Sequence, residues 1–378
     1  PEGATLAYAI SGGADAALFS IDAASGALSF TMAPDHEAPA DGNGDNLYEI
    51  VITATDGLNT TAQTLSVSVA DVNEAVVITS APSFALSENV TAIGNVAAVD
   101  PENSPITFAI AGGADAAMFA VDANTGALTF VTAPDFEAPG DANGDNLYEV
   151  NVSASDGVSE TMQDVIVAVG NTNEAPQIIS APAMTVTEDS ITVGLVIGTD
   201  IDGDALTYAI TGGADARRFA INSATGVLSF VSAPNFEAPA DADANNVYDV
   251  IVTASDGTLS GSQTLSITVG NVNEAPVISS FGGQNVVNLL LSENSNSVAA
   301  ISASDPDGSA LTYSIGGGAD AARFAINTVT GQLSFITAPN FEAPGDLGAD
   351  NNYQVIVNVT DGELSDSQTF SINILDVV

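Results

Sequence analysis

The residues best equipped for chemistry are oxygen donors gathered around three short, stiff tethers: Asp71-Val-Asn-Glu-Ala75, Asn171-Thr-Asn-Glu-Ala-Pro176 and Asn271-Val-Asn-Glu-Ala-Pro276. Each tether ends one apolar, strand-like run and begins another. Other acids recur around each in the same order. The first tether has Asp35, Glu37, Asp71, Asn73, Glu74, Asp100, Glu102 and Asp156. The second has Glu88, Asp135, Glu137, Asn171, Asn173, Glu174, Asp200, Asp202 and Asp256. The third has Glu188, Asn235, Glu237, Asn271, Asn273, Glu274, Asp305, Asp307 and Asp361. A lone acid is normally a solvated strand face, but acids recurring in register at strand ends and turns are not scattered. Six to eight hard oxygen ligands are what calcium requires. The seven carboxylates of the second tether form about 21 pairs, each near ~0.5 kcal/mol at about 8 Å in water. Screening leaves a repulsion on the order of 4 kcal/mol. Each tether is therefore expected to be a calcium-bound joint between domains, splayed without the ion and stiff with it.

A second candidate is the loop Asp41, Asn43, Asp45, with copies at Asp141, Asn143, Asp145 and at Asp241, Asp243, Asn245. Oxygen side chains at positions 1, 3 and 5 match the start of a calcium loop, but the bidentate Glu expected at position 12 is missing. The fourth copy, Asp346-Leu-Gly-Ala-Asp350, lacks the middle donor. A bound ion and a plain polar turn both remain open.

The elements that must position these donors come from an internal repeat. Gly-Gly-Ala-Asp occurs at 12–15, 112–115, 212–215 and 317–320, and Asp-Gly at 56–57, 156–157, 256–257 and 361–362. A period of about 100 residues is a self-contained domain, not a solenoid unit. The third copy reads as extended runs over Met184–Thr187, Val193–Gly198, Ala205–Ile210, Arg218–Ile221, Val227–Val231, Val247–Ala254 and Thr264–Val269. In one of these, Tyr248, Val250, Val252 and Ala254 alternate with Val247, Asp249, Ile251 and Thr253. Ser223-Ala-Thr-Gly226 is a hairpin turn, with Gly226 free to take positive φ. The expected fold is all-β: a tandem array of four seven-stranded antiparallel Greek-key sandwiches, the first truncated at its N-terminus. Its boundaries are 1–73, 74–173, 174–273 and 274–378, and the extra five residues of the last copy fall around Phe281–Leu291.

Composition narrows the partners. The 378 residues hold 48 acids against three arginines, for a net charge of −45. Such a chain repels nucleic acid and anionic membrane surfaces and attracts cations. With 46% apolar residues it is no disordered acidic tail. Cysteine is absent, which rules out disulfides and sulfur-bound zinc. No apolar run reaches the 18 residues of a membrane-spanning helix, so no membrane insertion is expected. The sequence opens in mid-repeat and reads as a window of something longer.

The order of these motifs resembles the cadherin repeat over the whole chain, and more closely the cadherin-like repeats of large bacterial surface adhesins. Ser87-Glu-Asn89, Thr187-Glu-Asp189 and Ser292-Glu-Asn294 look like the family's Pro-Glu-Asn motif. Asp135-Phe-Glu137 looks like its Asp-Arg-Glu motif with an aromatic for the arginine. Asn173-Glu174 matches the linker, Asp200-Ile-Asp202 and Asp305-Pro-Asp307 the Asp-x-Asp motif, and Asp256-Gly257 the last. The resemblance implies calcium ions at the joints and an extracellular or cell-surface location. The departures are Asn171 and Asn271 for the linker's first Asp, Ala75, Ala175 and Ala275 for its last Asn, and Asn235 and Asn340 at the position of Asp35 and Asp135.

Other chemistry fits less well. A catalytic carboxylate pair is not normally copied from repeat to repeat, and no nucleophile stands beside a base. The one histidine, His36, sits where the other copies have Phe and reads as a variant of an aromatic packing position. The expectation is a non-enzymatic, calcium-rigidified extracellular rod, a segment of a bacterial adhesin or filament, with a repeat and joint covering about 40–45 Å. Identical chains are expected to pair through completion of the truncated first copy. Two alternatives remain: an array of polysaccharide-binding modules, or a calcium-independent Ig-like spacer.

Overall fold

The computed structural model describes Gly3 and Thr5–Val377; the outermost residues of the first and fourth copies, Pro1, Glu2, Ala4 and Val378, lie outside the described residues. The chain divides into two compact units, Pro1–Asn173 and Glu174–Val378.

Alternating β-branched and polar residues build the same two facing sheets in each complete copy. In the second copy one sheet has the order Thr107–Gly112, Leu147–Ser155, Glu160–Gly170, Ser83–Ser87. The other is Phe119–Val121, Ala127–Phe130, Ala92–Asn95, and a short pair joins Val77–Ile78 to Ala98–Val99. The third and fourth copies repeat this order. Pairing is antiparallel with one exception per complete copy. Ser83–Ser87 runs parallel to Glu160–Gly170, as Ala183–Thr187 does to Ser260–Gly270 and Val286–Ser292 to Ser365–Leu375. That first strand starts at the pole opposite to the one where the last strand ends, so the two run in the same direction. In the first copy, Ala7–Gly12, Leu47–Thr55 and Thr60–Ser68 form a three-stranded sheet over the pair Phe19–Ile21 and Leu28–Phe30.

Each copy has its own apolar cluster. Tyr248, Val250, Val252 and Ala254 point inward, as the alternation predicts. An aromatic trio recurs at every core centre. In the second copy Phe119 and Phe130 lie 4.8 Å apart, with Tyr148 edge-on to Phe130 at 5.0 Å. The Tyr148 hydroxyl accepts the Gly140 N–H at 3.1 Å, tying the long loop to the core.

Two sequence runs resolve differently from expectation. Val193–Gly198 is broken into Thr192–Leu195 and Gly198–Thr199, because the chain turns inward at Val196, which is 1% exposed. Arg218 closes a 3-10 turn over Ala216–Arg218, and the strand begins at Phe219. The fourth copy's insertion forms a 3-10 segment, Ser280–Gly283, whose Phe281 packs edge-on against Phe370 at 5.6 Å.

The repeat markers have structural causes. Gly113 has φ +114, and a Cβ there would stand 2.6 Å from the Glu149 carbonyl oxygen. Gly226 takes φ +72 in the predicted turn. The Asp of each marker is buried and clamps two backbone N–H groups. Asp115 Oδ1 accepts from Ala142 at 2.7 Å and its Oδ2 from Glu149 at 2.8 Å. Asp15, Asp215 and Asp320 do the same in their copies. This clamp fixes the loop that carries the Asp35-type and Glu37-type donors.

Candidate metal centre

The third joint lies within one compact unit and shows how the strands present their oxygens. Glu188, at the end of Ala183–Thr187, is buried. Its Oε1 accepts the Val272 N–H at 2.7 Å and its Oε2 the Phe236 N–H at 2.8 Å, so one side chain staples the tether to the loop. Glu188, Glu237 and Glu274 each bring an oxygen to within 4.8 Å of the others. From the following domain, Asp307 Oδ2 accepts the Glu274 N–H at 2.8 Å and its Oδ1 the Asn271 amide at 2.6 Å. Asn273 donates to Asp361 Oδ2 at 2.8 Å.

The first joint repeats this plan with different donors. Glu37, Glu74 and Glu102 converge to within the same 4.8 Å. Glu102 Oε1 accepts the Glu74 N–H at 3.0 Å, and Asn73 donates to Asp156 Oδ2 at 2.9 Å. The sequence begins past the position equivalent to Glu188. Of the second joint, the Pro1–Asn173 unit carries Glu88, stapled to Thr172 and Phe136 as Glu188 is, with Asp135 and Glu137 within 4.8 Å. The Glu174–Val378 unit carries Glu174, whose N–H donates to Asp202 Oδ2 at 2.8 Å, and Asp200, whose Oδ1 accepts from Asp202 at 3.1 Å. Asp256 accepts the Thr258 and Leu259 N–H groups, as Asp156 and Asp361 do in their own Asp-Gly turns.

Several carboxylate oxygens at the joints accept no hydrogen bond. Asp100 Oδ2 and Glu102 Oε2 in the first joint are shielded from solvent and have no partner. So are Asp200 Oδ2 and Asp202 Oδ1, and Glu274 Oε2 and Asp305 Oδ2. Leaving a buried acceptor unsatisfied costs about 1–3 kcal/mol, more for a charged one. The Asp100 atom recurs at Asp200 and Asp305, and a shielded carboxylate oxygen without a donor suits a hard divalent cation. The same crowding shifts titration. Glu74 is pushed up to about 7 by its side-chain contact with Glu102, then by desolvation and the charge of Glu37. Glu274 is pushed up to about 7 by desolvation and then by Glu188 and Glu237. The donor set fits calcium, with carboxylate and amide oxygens only and no sulfur.

Other expected ligands have local work. Asp35 Oδ1 accepts the Glu37 and Ala38 N–H groups, and Asn235 Oδ1 accepts that of Ala238 at 2.6 Å. A turn needs only one acceptor, which is why Asn can replace Asp there. In the loops, Asp141 Oδ2 accepts from Asp145 at 2.9 Å and its Oδ1 from Asn146 at 3.3 Å. Asp41 and Asp241 likewise accept from Asp45 and Asn245. Asn143 turns its amide toward Asp145 at 3.0 Å, Asn43 toward Asp45, and Asn245 toward Asp243. These contacts knit a turn, while Asp41 Oδ1 stays buried without a hydrogen-bond partner.

His36 has the partial burial of Phe136, Phe236 and Phe341 at the same position. It is half-buried at the joint, with Nδ1 2.9 Å from Glu37 Oε1 and 3.9 Å from Asp71 Oδ1.

Comparison with known proteins agrees with this architecture. A cadherin-domain family model matches residues 82–169, and a bacterial Ig-domain model matches 173–268. The human cadherin EGF LAG seven-pass G-type receptor 2 is 28% identical over all of this chain, which spans 13% of that protein's length. Chitinase A of Pseudoalteromonas piscicida is 28% identical over 61% of the chain and 25% of the enzyme. The protocadherin gammaB4 extracellular domain superposes on 97% of the chain and 60% of its own, with a TM-score of 0.57 and 23% identity, a likeness of fold. Together these matches support a cadherin-like tandem repeat.

Proposed function

We propose that calcium ions lock successive sandwiches of this chain into a stiff extracellular array, which serves as the stalk of a bacterial surface adhesin or the body of an extracellular filament. The observation that carries this reading is the set of shielded carboxylate oxygens without hydrogen-bond partners, repeated at Asp100, Asp200 and Asp305. In this reading Glu37, Asp71, Glu74, Asp100 and Glu102 hold ions at the first joint. Glu88 and Glu137 of the Pro1–Asn173 unit and Glu174, Asp200 and Asp202 of the Glu174–Val378 unit are each candidate donors in their own unit, and Glu188, Glu237, Glu274, Asp305 and Asp307 hold ions at the third joint. The domains run 1–73, 74–173, 174–273 and 274–378. Calcium supplies the positive charge that lets these carboxylates share one small volume. The work of the chain is then mechanical, not catalytic.

Small-angle X-ray scattering in millimolar calcium and in chelator tests the proposal. Curves that become broader and more flexible in chelator are expected. Identical curves would leave the acids as solvated surface and the repeats as calcium-indifferent spacers.

Self-association is a further part of this reading. Thr60–Ser68 pairs on one side only among the described residues. Its Leu65 and Val67 are half-covered, where Val165 and Val167 of the second copy are 1% and 0% exposed. A parallel strand laid there, from an identical chain or from residues preceding this sequence, would complete the sheet. Sedimentation of the chain at increasing concentration separates the two sources. The similarity to a bacterial chitinase favours one second reading, an accessory array that binds polysaccharide. The core tyrosines cannot supply its stacking platforms, since Tyr48, Tyr148, Tyr248 and Tyr353 are all buried. Retention on a glycan matrix would have to come from other residues.

A further inference from the structure

The first joint differs from the other two at a pair of facing positions. Position 36 is His where the others have Phe136 and Phe236, and position 71 is Asp where they have Asn171 and Asn271. The two residues are 35 apart in sequence, yet His36 Nδ1 lies 3.9 Å from Asp71 Oδ1. Glu37 Oε1 completes the group at 2.9 Å from the same nitrogen. One nitrogen and two carboxylate oxygens thus lie within 4.8 Å of one another, with Nδ1 and Glu37 Oε1 sharing a hydrogen bond.

The backbone that presents His36 is the backbone of every copy. Asn46 donates its amide to the His36 carbonyl at 2.8 Å, as Asn146 does to Phe136 and Asn246 to Phe236. The change is therefore confined to the side chain, which turns to the carboxylates. An imidazole among carboxylates suits borderline late first-row ions better than calcium, whose ligands are oxygens. Donors held tetrahedrally about 2.1 Å from zinc stand about 3.4 Å from each other. The distances of 2.9 and 3.9 Å bracket that spacing.

We propose that the first joint binds one divalent ion of the zinc class through His36 Nδ1, Glu37 and Asp71, a site the other joints lack the residues to build. Water fills the fourth position. Because Glu37 and Asp71 also stand among the calcium donors, the two ions compete there, and the first joint answers to a second metal.

His36 is the only histidine, so its imidazole resonances form a single, assignable NMR probe of the full chain. Calcium-free protein is titrated with zinc chloride alone while those resonances and the heat of binding are followed. The expected result is a stoichiometric shift of the imidazole signals with one zinc per chain. Affinity should fall at least tenfold in His36→Phe, which restores the residue of the other copies, and by an intermediate factor in Asp71→Asn. Equal zinc affinity in the wild type and His36→Phe overturns the proposal, as do imidazole signals that stay fixed while zinc binds elsewhere. Calcium titration of His36→Phe separates this from the calcium reading: unchanged calcium binding with lost zinc binding supports the site independently. Zinc binding at His36 in a chain that ignores calcium would sink only the other reading.

Discussion

Asp100 and Asp115 lie 15 residues apart in the second copy and are 7% and 6% exposed. Each is a buried aspartate beside other acids, yet they do different work. Asp115 gives each oxygen a backbone N–H at 2.7–2.8 Å, so its charge is met by the domain's own dipoles. Asp100 gives Oδ1 to the Ser104 N–H at 2.8 Å and leaves Oδ2 with none. Burial and charge do not distinguish the two. What differs is how many of their oxygens the backbone occupies.

The sharpest break of that comparison is a double dissociation. Asp115→Ala strips acceptors from two buried N–H groups and should destabilise its domain by about 3–5 kcal/mol, equally with or without calcium. Asp100→Asn should change chelator-state stability little but weaken calcium binding at the first joint at least tenfold. Denaturant unfolding and calorimetric titration of both variants decide the matter. A calcium-dependent effect at Asp115, or none at Asp100, would dissolve the distinction.

Next in size is the stapling acid. Glu188→Ala leaves the Val272 and Phe236 N–H groups without their carboxylate and should cost about 2–4 kcal/mol, and it should loosen the third joint even in calcium. A Glu-specific protease reports this as faster cleavage at Glu274. Wild-type rates in the variant would leave Glu188 without a stapling role.

Ligand charge count tunes calcium affinity. Asn271→Asp should therefore tighten the third joint several-fold, and Asp71→Asn should weaken the first by a similar factor. Site-resolved calcium titration checks both. Affinities that move in the same direction would mean that position 71 and its counterpart are not equivalent.

A smaller effect follows from proton linkage. Glu74 and Glu274 have folded-state pKa values raised to about 7 from the ordinary 4.5. In that interval the folded state holds more protons than the unfolded one. Stability in chelator should therefore rise as pH falls from 7 toward 4.5 and sit at its lower plateau above 7. Thermal melts in chelator across this range test the sign, and added calcium should remove the trend near neutral pH. The smallest expected change is in the long loop. Asn143→Ala should shift stability by no more than about 0.5 kcal/mol and leave the number of bound calcium ions unchanged. A lost ion would make that loop a metal site after all.

Much of this was legible in the chain. Period-two alternation in Val247–Ala254 assigns the inward face because successive strand side chains point to opposite sides. Internal repetition marks the joints because a residue copied at the same place in each domain is held there by a shared need. Both signals are local or periodic. What the sequence left open depends on neighbours far along the chain. The clamp of Asp115 acts on N–H groups 27 and 34 residues away. The parallel pairing of Ser83–Ser87 with Glu160–Gly170 joins the two ends of one domain, beyond the reach of hairpin rules. His36 looked like a packing variant because Phe fills that partly buried position in the other copies, and only the folded joint brings Asp71 beside it. Composition and repetition determined that oxygen donors would gather at the domain ends. Tertiary structure alone decided which oxygens the backbone consumes and which stay without a hydrogen-bond partner, because that depends on where each N–H arrives in space.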